Sequence, residues 1–231
     1  MAPMAASAGF EGFPRGTVRF LSGLTDHNTR EWFDAHRSDY EAAFLQPAMA
    51  FVEALGPRLH KIDPRVQAVP RINGSIMRIN RDIRFSKDKR PYKNHLDLFF
   101  WSGRAKSWDS SGFFFRLTPD RLLLGAGIHG FMPPVLARYR EAVLDPKKGA
   151  ALVKIVQKLR DAGYGIGTES YKRAPRGVPP DHPRAALLRH GGLHVQWEGK
   201  HPAELGKPAL VGFVSKHLAA CAPLHAWLKT I

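Results

Sequence analysis

The chain has 231 residues, 44% hydrophobic, 10% aromatic and 24% charged, which excludes a disordered polymer and fits one large globular domain or two small ones. Its 35 Lys and Arg against 20 Asp and Glu leave a formal charge of +15, so an anionic partner is expected. Cys221 is the one cysteine, which excludes an internal disulfide. Its neighbours Leu218 and Leu224 mark it as a small buried thiol and not a nucleophile.

Residues 1–9 lack the basic start and apolar run of a secretory signal. They are read as a flexible tail ahead of a single globular domain over 10–231. The densest apolar stretch, Leu122–Ile128, falls far short of the ~18 residues that span a bilayer. A soluble cytoplasmic protein without membrane association is expected.

Thr17 is positioned to cap a short helix through Leu24, with Val18, Leu21 and Leu24 on one side. Asn28 followed by Glu31 resembles a capping box, opening a helix that carries Trp32, His36, Tyr40, Ala43 and Phe44 at helical spacing. Pro47 should break or kink it, because proline lacks the amide donor. A further helix carries Phe51, Val52, Leu55 and Leu59 before Asp63-Pro64 stops it.

The period then changes. Segments 75–85, 96–101, 112–118 and 121–128 are rich in Ile, Phe and Leu and bounded by turn residues, which predicts strands. Thr118-Pro119-Asp120-Arg121 predicts a hairpin between the last two. Helices are expected at 133–144 and 147–162, the second opened by Asp145-Pro146 and closed by Gly163. Residues 164–180 read as a Pro/Gly-rich loop, followed by a short helix capped by Asp181 and ending before Gly191. Leu193–Trp197 alternates as one more strand, and 207–229 is helical with an interruption at Pro223. Helices at both ends around a mostly antiparallel sheet predict an α+β fold, with no strand–helix rhythm of the doubly wound kind.

Charge is concentrated in the middle of the chain. Residues 71–106 carry 10 basic and 3 acidic groups, whereas residues 1–70 carry 7 and 8. On a regular strand, Arg78, Asn80, Asp82 and Arg84 share one face, while Met77, Ile79, Ile83 and Phe85 share the other. Arg81 then falls on the apolar face, where it needs a carboxylate partner or a bulge that turns it outward. A carboxylate between two guanidinium groups holds both in fixed rotamers while leaving donors for a carboxylate or phosphate. Lys87, Lys89, Arg90 and Lys93 follow in a loop stiffened by Pro91, and Tyr92 offers an aromatic wall.

This segment resembles the signature of a bacterial family, domain-of-unknown-function family 2461. Its motif R-x-x-R-D-x-R-F-x-x-x-K-x-P-Y is met by Arg78, Arg81, Asp82, Arg84, Phe85, Lys89, Pro91 and Tyr92. The likeness extends to the NTREWF stretch at Asn28–Phe33, the SGFFF strand at 111–115 and the Lys172–Pro183 stretch. It implies a fold-level grouping without a catalytic assignment, and a polar site more than a core.

The expected ligand-binding residues are Arg78, Arg81, Asp82, Arg84, Lys89, Tyr92 and Lys93. His95, Asp88 and Tyr92 are the candidates for moving a proton. His190 and His194, with His182, His201 and Glu204 nearby, form the best histidine cluster, but Gly191-Gly192 between the first pair breaks the helix that metal ligation would need; no metal is expected. Tyr164-Gly165-Ile166-Gly167 lacks the Lys-Ser/Thr of a phosphate loop, and no Gly-x-Ser-x-Gly elbow occurs. Lys172, Arg173, Arg176 and Arg184 form a second basic group, read as a solvated loop or a lid.

Three readings follow. The first is an enzyme or binding domain for a small phosphate- or carboxylate-bearing molecule. The second is a nucleic-acid binder that adds stacking from Tyr92, Trp101, Trp108 and Phe113–Phe115. The third is a non-catalytic interaction module. Cofactor, substrate, reaction and oligomeric state are not encoded in any recognisable motif.

Overall fold

The computed structural model describes residues 9–104, 110–167 and 169–231. Trp108, and all of the expected tail except Gly9, lie outside the described residues. Helix α1 (Arg15–Asp26) buries Thr17, Phe20, Leu21 and Leu24, a stripe at i, i+3, i+4 and i+7. Thr17 is therefore not a cap. Pro14 holds that position, and the Thr17 hydroxyl donates to the Ala43 carbonyl.

Helix α2 (Arg30–Ala35) is capped by Thr29, whose Oγ1 accepts from the Trp32 amide at 3.2 Å. The cap expected at Asn28 is displaced by one residue because the Asn28 side chain is used elsewhere, as shown below. The chain continues through α3 (Arg37–Asp39), a π-helical turn (Tyr40–Leu45) and α4 (Gln46–His60). The break expected at Pro47 does not occur. The Gln46 amide reaches back five residues to the Glu41 carbonyl, so the wide turn precedes the proline. Pro47 then sits in the first turn of α4, where a missing donor costs little.

The strands are β1 (Leu96–Trp101), β2 (Gly112–Leu117), β3 (Arg121–Ile128), β4 (Gly165–Ile166) and β5 (Leu193–Lys200). They form a five-stranded antiparallel sheet in the order β1-β2-β3-β5-β4. The predicted β2–β3 hairpin is present, closed by the Thr118 amide on the Arg121 carbonyl at 2.9 Å. The expected 164–180 loop contains β4, which pairs with β5 through Gly165 opposite Gln196 and Ile166 opposite Val195. Helices α5 (Pro133–Leu144) and α6 (Pro146–Asp161) fall where the sequence places them. Asp145 caps α6 by accepting from the Lys147 and Lys148 amides at 2.9 and 2.7 Å. Helix α7 (Ala185–Leu188) is shorter than expected and has Arg184, not Asp181, at its cap position. The C-terminal region divides into α8 (Leu210–Ala220) and α9 (Ala222–Leu228), with Pro223 in the first turn of α9. An α+β fold with helices toward both ends of the chain is the observed class.

The strand expected over 75–85 does not form. Single bridges join Ile76 to Leu98 and Asn80 to Tyr92, and beyond Asn80 the chain curls away. Phe85, expected on the apolar face, is 95% exposed.

Contacts divide the chain into two compact units. The first holds the described residues up to Phe100, with 114–123 and 199–216. Its core includes Phe10, Phe13, Phe51 and Phe115, whose ring centroids lie 4.9–5.7 Å apart; such pairs add about 0.5–1.5 kcal/mol each beyond burial. The second holds the described residues of 101–113, with 124–198 and 217–231. Here the Tyr139 hydroxyl donates to the Leu187 carbonyl at 2.8 Å and Trp227 Nε1 to the Lys148 carbonyl at 2.9 Å. Gly127 in β3 has φ +146°, and a Cβ there would meet the Leu193 carbonyl at 2.3 Å and His194 Cα at 2.4 Å. Cys221 is buried, and burial pushes its thiol up to about 12, which makes it a poor nucleophile. Among the described residues no helix is long and apolar enough to cross a membrane.

Candidate anion site

The first unit carries the basic segment, held at three places. Backbone hydrogen bonds run from Arg81 to the Pro91 carbonyl and from Lys93 to the Ile79 carbonyl, each 2.8 Å. The Met77 amide donates to the Asp97 carbonyl of β1 at 3.0 Å. The third hold is Asn28. Its Oδ1 accepts from the Tyr92 amide at 2.9 Å, and its Nδ2 donates to the carbonyls of Tyr92 and Leu24 at 3.0 and 2.7 Å. A side chain thus supplies the pairing that a neighbouring strand would give. Tyr92 itself is buried and stacked on Phe33 with centroids 4.3 Å apart and an interplanar angle of 14°.

Between these anchors the chain turns twice by the same device. The Asp82 carboxylate accepts from the Arg84 amide at 3.2 Å and grips the Arg84 guanidinium at 3.0 and 2.7 Å. Six residues on, Asp88 accepts from the Arg90 amide at 3.0 Å and from its Nε and Nη2 at 3.0 and 2.7 Å. Each Asp-x-Arg is an Asx turn locked by its own arginine, and the local bonds replace the ladder a strand would have used. The Arg84 side chain, then its amide, lower Asp82 to about 2. Asp88 is held well below the ordinary carboxylate range by Arg90 first and by Arg81 in addition.

Arg81 reaches Asp88 Oδ2 at 2.8 Å and the Arg90 carbonyl at 3.0 Å. That answers the charge the strand pattern placed on the apolar side. Its side chain also lines a depression of about 210 Å³ together with Asn28, Asp88, Arg90, Tyr92, Lys93, Asn94 and His95. Beside it stands Asp97 on β1, which takes Arg116 Nε at 2.6 Å, His95 Nε2 at 3.2 Å and Lys93 Nζ at 3.4 Å. Burial pushes the Asp97 carboxyl up. Hydrogen bonds from His95 and Arg116, with their charges, outweigh it, so the group stays well below the usual range. His95 Nδ1 lies 3.3 Å from Asn94 Oδ1, so both ring nitrogens are engaged within the chain.

Of the residues singled out from sequence, Arg81, Asp88, Tyr92, Lys93 and His95 meet at this depression. Arg78, Asp82, Arg84 and Lys89 are not in its lining. Arg78 is exposed, and Asp82 bonds Arg84 instead of bridging Arg78 and Arg84. Lys89 Nζ is spent on the Ile83 carbonyl at 3.0 Å. Sequence reasoning missed the amides of Asn28 and Asn94 as lining residues, and Asp97 and Arg116 as the support behind them. One signal was available for Asp97: it is an acid between Leu96 and Leu98 on a strand, with Lys93 and His95 four and two residues before it.

The family model for DUF2461, a group of conserved hypothetical proteins, matches residues 16–227. The chain belongs to that family. No curated protein and no solved structure matches it.

In this DUF2461 member His182, His190 and His194 belong to the second unit, whereas His201 and Glu204 belong to the first. His190 and His194 are buried or nearly so, and the His129 and His194 rings are 5.6 Å apart. Burial first, then the charges of His129 and His190, lowers the His194 pKa. His182 Nδ1 accepts from the Arg184 amide at 3.1 Å, and His201 Nε2 lies 3.0 Å from the Thr118 carbonyl. Among the described residues no group of three or more His, Cys, Asp or Glu is arranged to hold a metal ion. Lys172, Arg173 and Arg176 are exposed, whereas Arg184 Nη1 is bonded to the Asp145 carbonyl at 2.6 Å.

Proposed function

We propose that this DUF2461 protein binds a small molecule bearing a phosphate or carboxylate in the depression beside β1. The observation that carries this reading is that Arg81, Arg90 and Lys93 line one small opening together with the side-chain amides of Asn28 and Asn94. Around that opening the cations Arg81, Arg90, Lys93 and Arg116 face only Asp88 and Asp97 among the acids named above, so positive charge is left over for a guest.

The arginines are also held in place before any guest arrives. Asp88 grips Arg90 by two nitrogens and Arg81 by one. Pre-oriented guanidinium groups lose less freedom on binding, which favours a compact planar or tetrahedral anion. Lys93 adds a point charge, and the Asn28 and Asn94 amides offer polar contacts beyond the anionic group. His95, bonded to Asn94 and Asp97, acts as a positioning residue in this reading.

The test is a melting-temperature panel of inorganic phosphate, pyrophosphate, nucleotides, sugar phosphates and di- and tricarboxylates. At least one compound should raise the midpoint of the full-length chain. Lys93→Ala and Arg90→Ala should abolish that rise while moving the ligand-free midpoint by no more than a few degrees. A flat panel for the wild-type chain overturns the reading.

A further inference from the structure

Phe85 stands out among the described residues. It is 95% exposed at the tip of the basic segment, where an aromatic ring gains nothing from folding. The tip that presents it is held by several bonds. The Ser86 amide donates to the Ile83 carbonyl at 3.3 Å, and Lys89 Nζ closes onto the same carbonyl at 3.0 Å. Arg84 is fixed by its two-nitrogen grip on Asp82, and its guanidinium carbon lies 5.7 Å from the Phe85 ring centroid. Arg78, Lys87 and Arg90 on the same segment are exposed as well.

From this juxtaposition of a projecting ring and surrounding cations, we propose that the 82–90 tip binds single-stranded nucleic acid. A base would stack on Phe85, and the neighbouring phosphates would meet Arg84, Lys87 and Arg90. Stacking on an aromatic side chain is sequence-tolerant and needs only one accessible ring face, and the net charge of +15 supplies attraction along the backbone. Of the stacking partners expected from sequence, Tyr92, Trp101, Phe113 and Phe115 are buried and do not serve this role; Phe114 is half-buried, and Trp108 lies outside the described residues. A bilayer surface fits less well. Ile83 beside Phe85 is partly covered, so one ring projects in place of the broad apolar face that interfacial binding requires.

Phe85, Arg84 and Lys87 do not line the depression and only Arg90 is shared with it, so the Phe85 variants test this inference separately from the small-anion reading. The experiment is fluorescence anisotropy of the full-length chain with a labelled deoxythymidine oligomer of about 20 nucleotides, at several salt concentrations. Affinity should fall steadily with salt. Phe85→Ala should weaken it roughly fivefold to a hundredfold, Phe85→Trp should restore it, and the new tryptophan's emission should be quenched on binding. Unchanged binding by Phe85→Ala, or full binding by Phe85→Leu, would overturn the proposal. So would equal affinity for a duplex of the same length, or association with anionic vesicles in the absence of oligonucleotide binding.

Discussion

The side-chain amide of Asn28 pairs with the backbone of Tyr92 in both directions, accepting at 2.9 Å and donating at 3.0 Å across 64 residues of sequence. This pair fastens the basic segment to the end of α1, where Asn28 also bonds the Leu24 carbonyl. Asn28→Ala leaves part-buried backbone groups of Tyr92 without that partner, which costs about 2–3 kcal/mol. Thermal unfolding should drop by roughly 5–10 °C for a chain of this size. Asn28→Asp, which keeps the acceptor but sets a carboxylate oxygen against the Leu24 and Tyr92 carbonyls, should destabilise at least as much as the alanine variant. A shift below about 2 °C for the alanine variant would show that the segment is held by its other bonds alone.

Asp97 makes stability depend on pH in a defined direction. Its folded pKa lies below its unfolded value near ~3.9, so its contribution is fully present above that unfolded value and is lost as pH falls toward the folded one. Asp97→Asn, which leaves Lys93, His95 and Arg116 around a neutral amide, should cost about 3 kcal/mol near neutrality. The gap in melting temperature between wild type and variant should narrow as pH falls below about pH 4. A gap that does not narrow there would contradict the assignment.

Gly127 has no room for a side chain. At φ +146°, with the Leu193 carbonyl and His194 Cα where a Cβ would stand, Gly127→Ala must move backbone. The loss should exceed about 3 kcal/mol, or roughly 8 °C in melting temperature, and expression should suffer accordingly. Gly212→Ala has nothing within 4 Å of the new Cβ and lies in α8, where alanine is favoured; its midpoint should hold or rise. Calorimetry on the two variants separates packing from a general intolerance of substitution.

Much of the fold was legible because it rests on local signals. Thr118-Pro119-Asp120-Arg121 encodes the β2–β3 turn, and Asp145-Pro146 opens α6. The misread 75–85 segment had the apolar content of a strand. However, Asp82-Ile83-Arg84 and Asp88-Lys89-Arg90 each repeat Asp-x-Arg, and those local bonds outcompete the ladder. The repeat was visible in the sequence; its consequence required knowing that each aspartate takes the amide two residues on. Pro47 misled for a different reason, since a π turn just before it leaves the helix unbroken. At the candidate site, Arg81, Asp88, Lys93 and His95 were recognisable by charge and proximity along the chain. Asn28 and Arg116 come from distant segments brought alongside by the fold, and neighbouring residues along the chain carry no trace of that contact.

The most direct test is to crystallise the full-length chain with whichever anion raises its melting temperature most. The account predicts ligand density in the depression beside β1, with its anionic oxygens about 3 Å from the Arg81, Arg90 and Lys93 nitrogens. Density for that ligand elsewhere on the surface, with this depression holding only water, would contradict it.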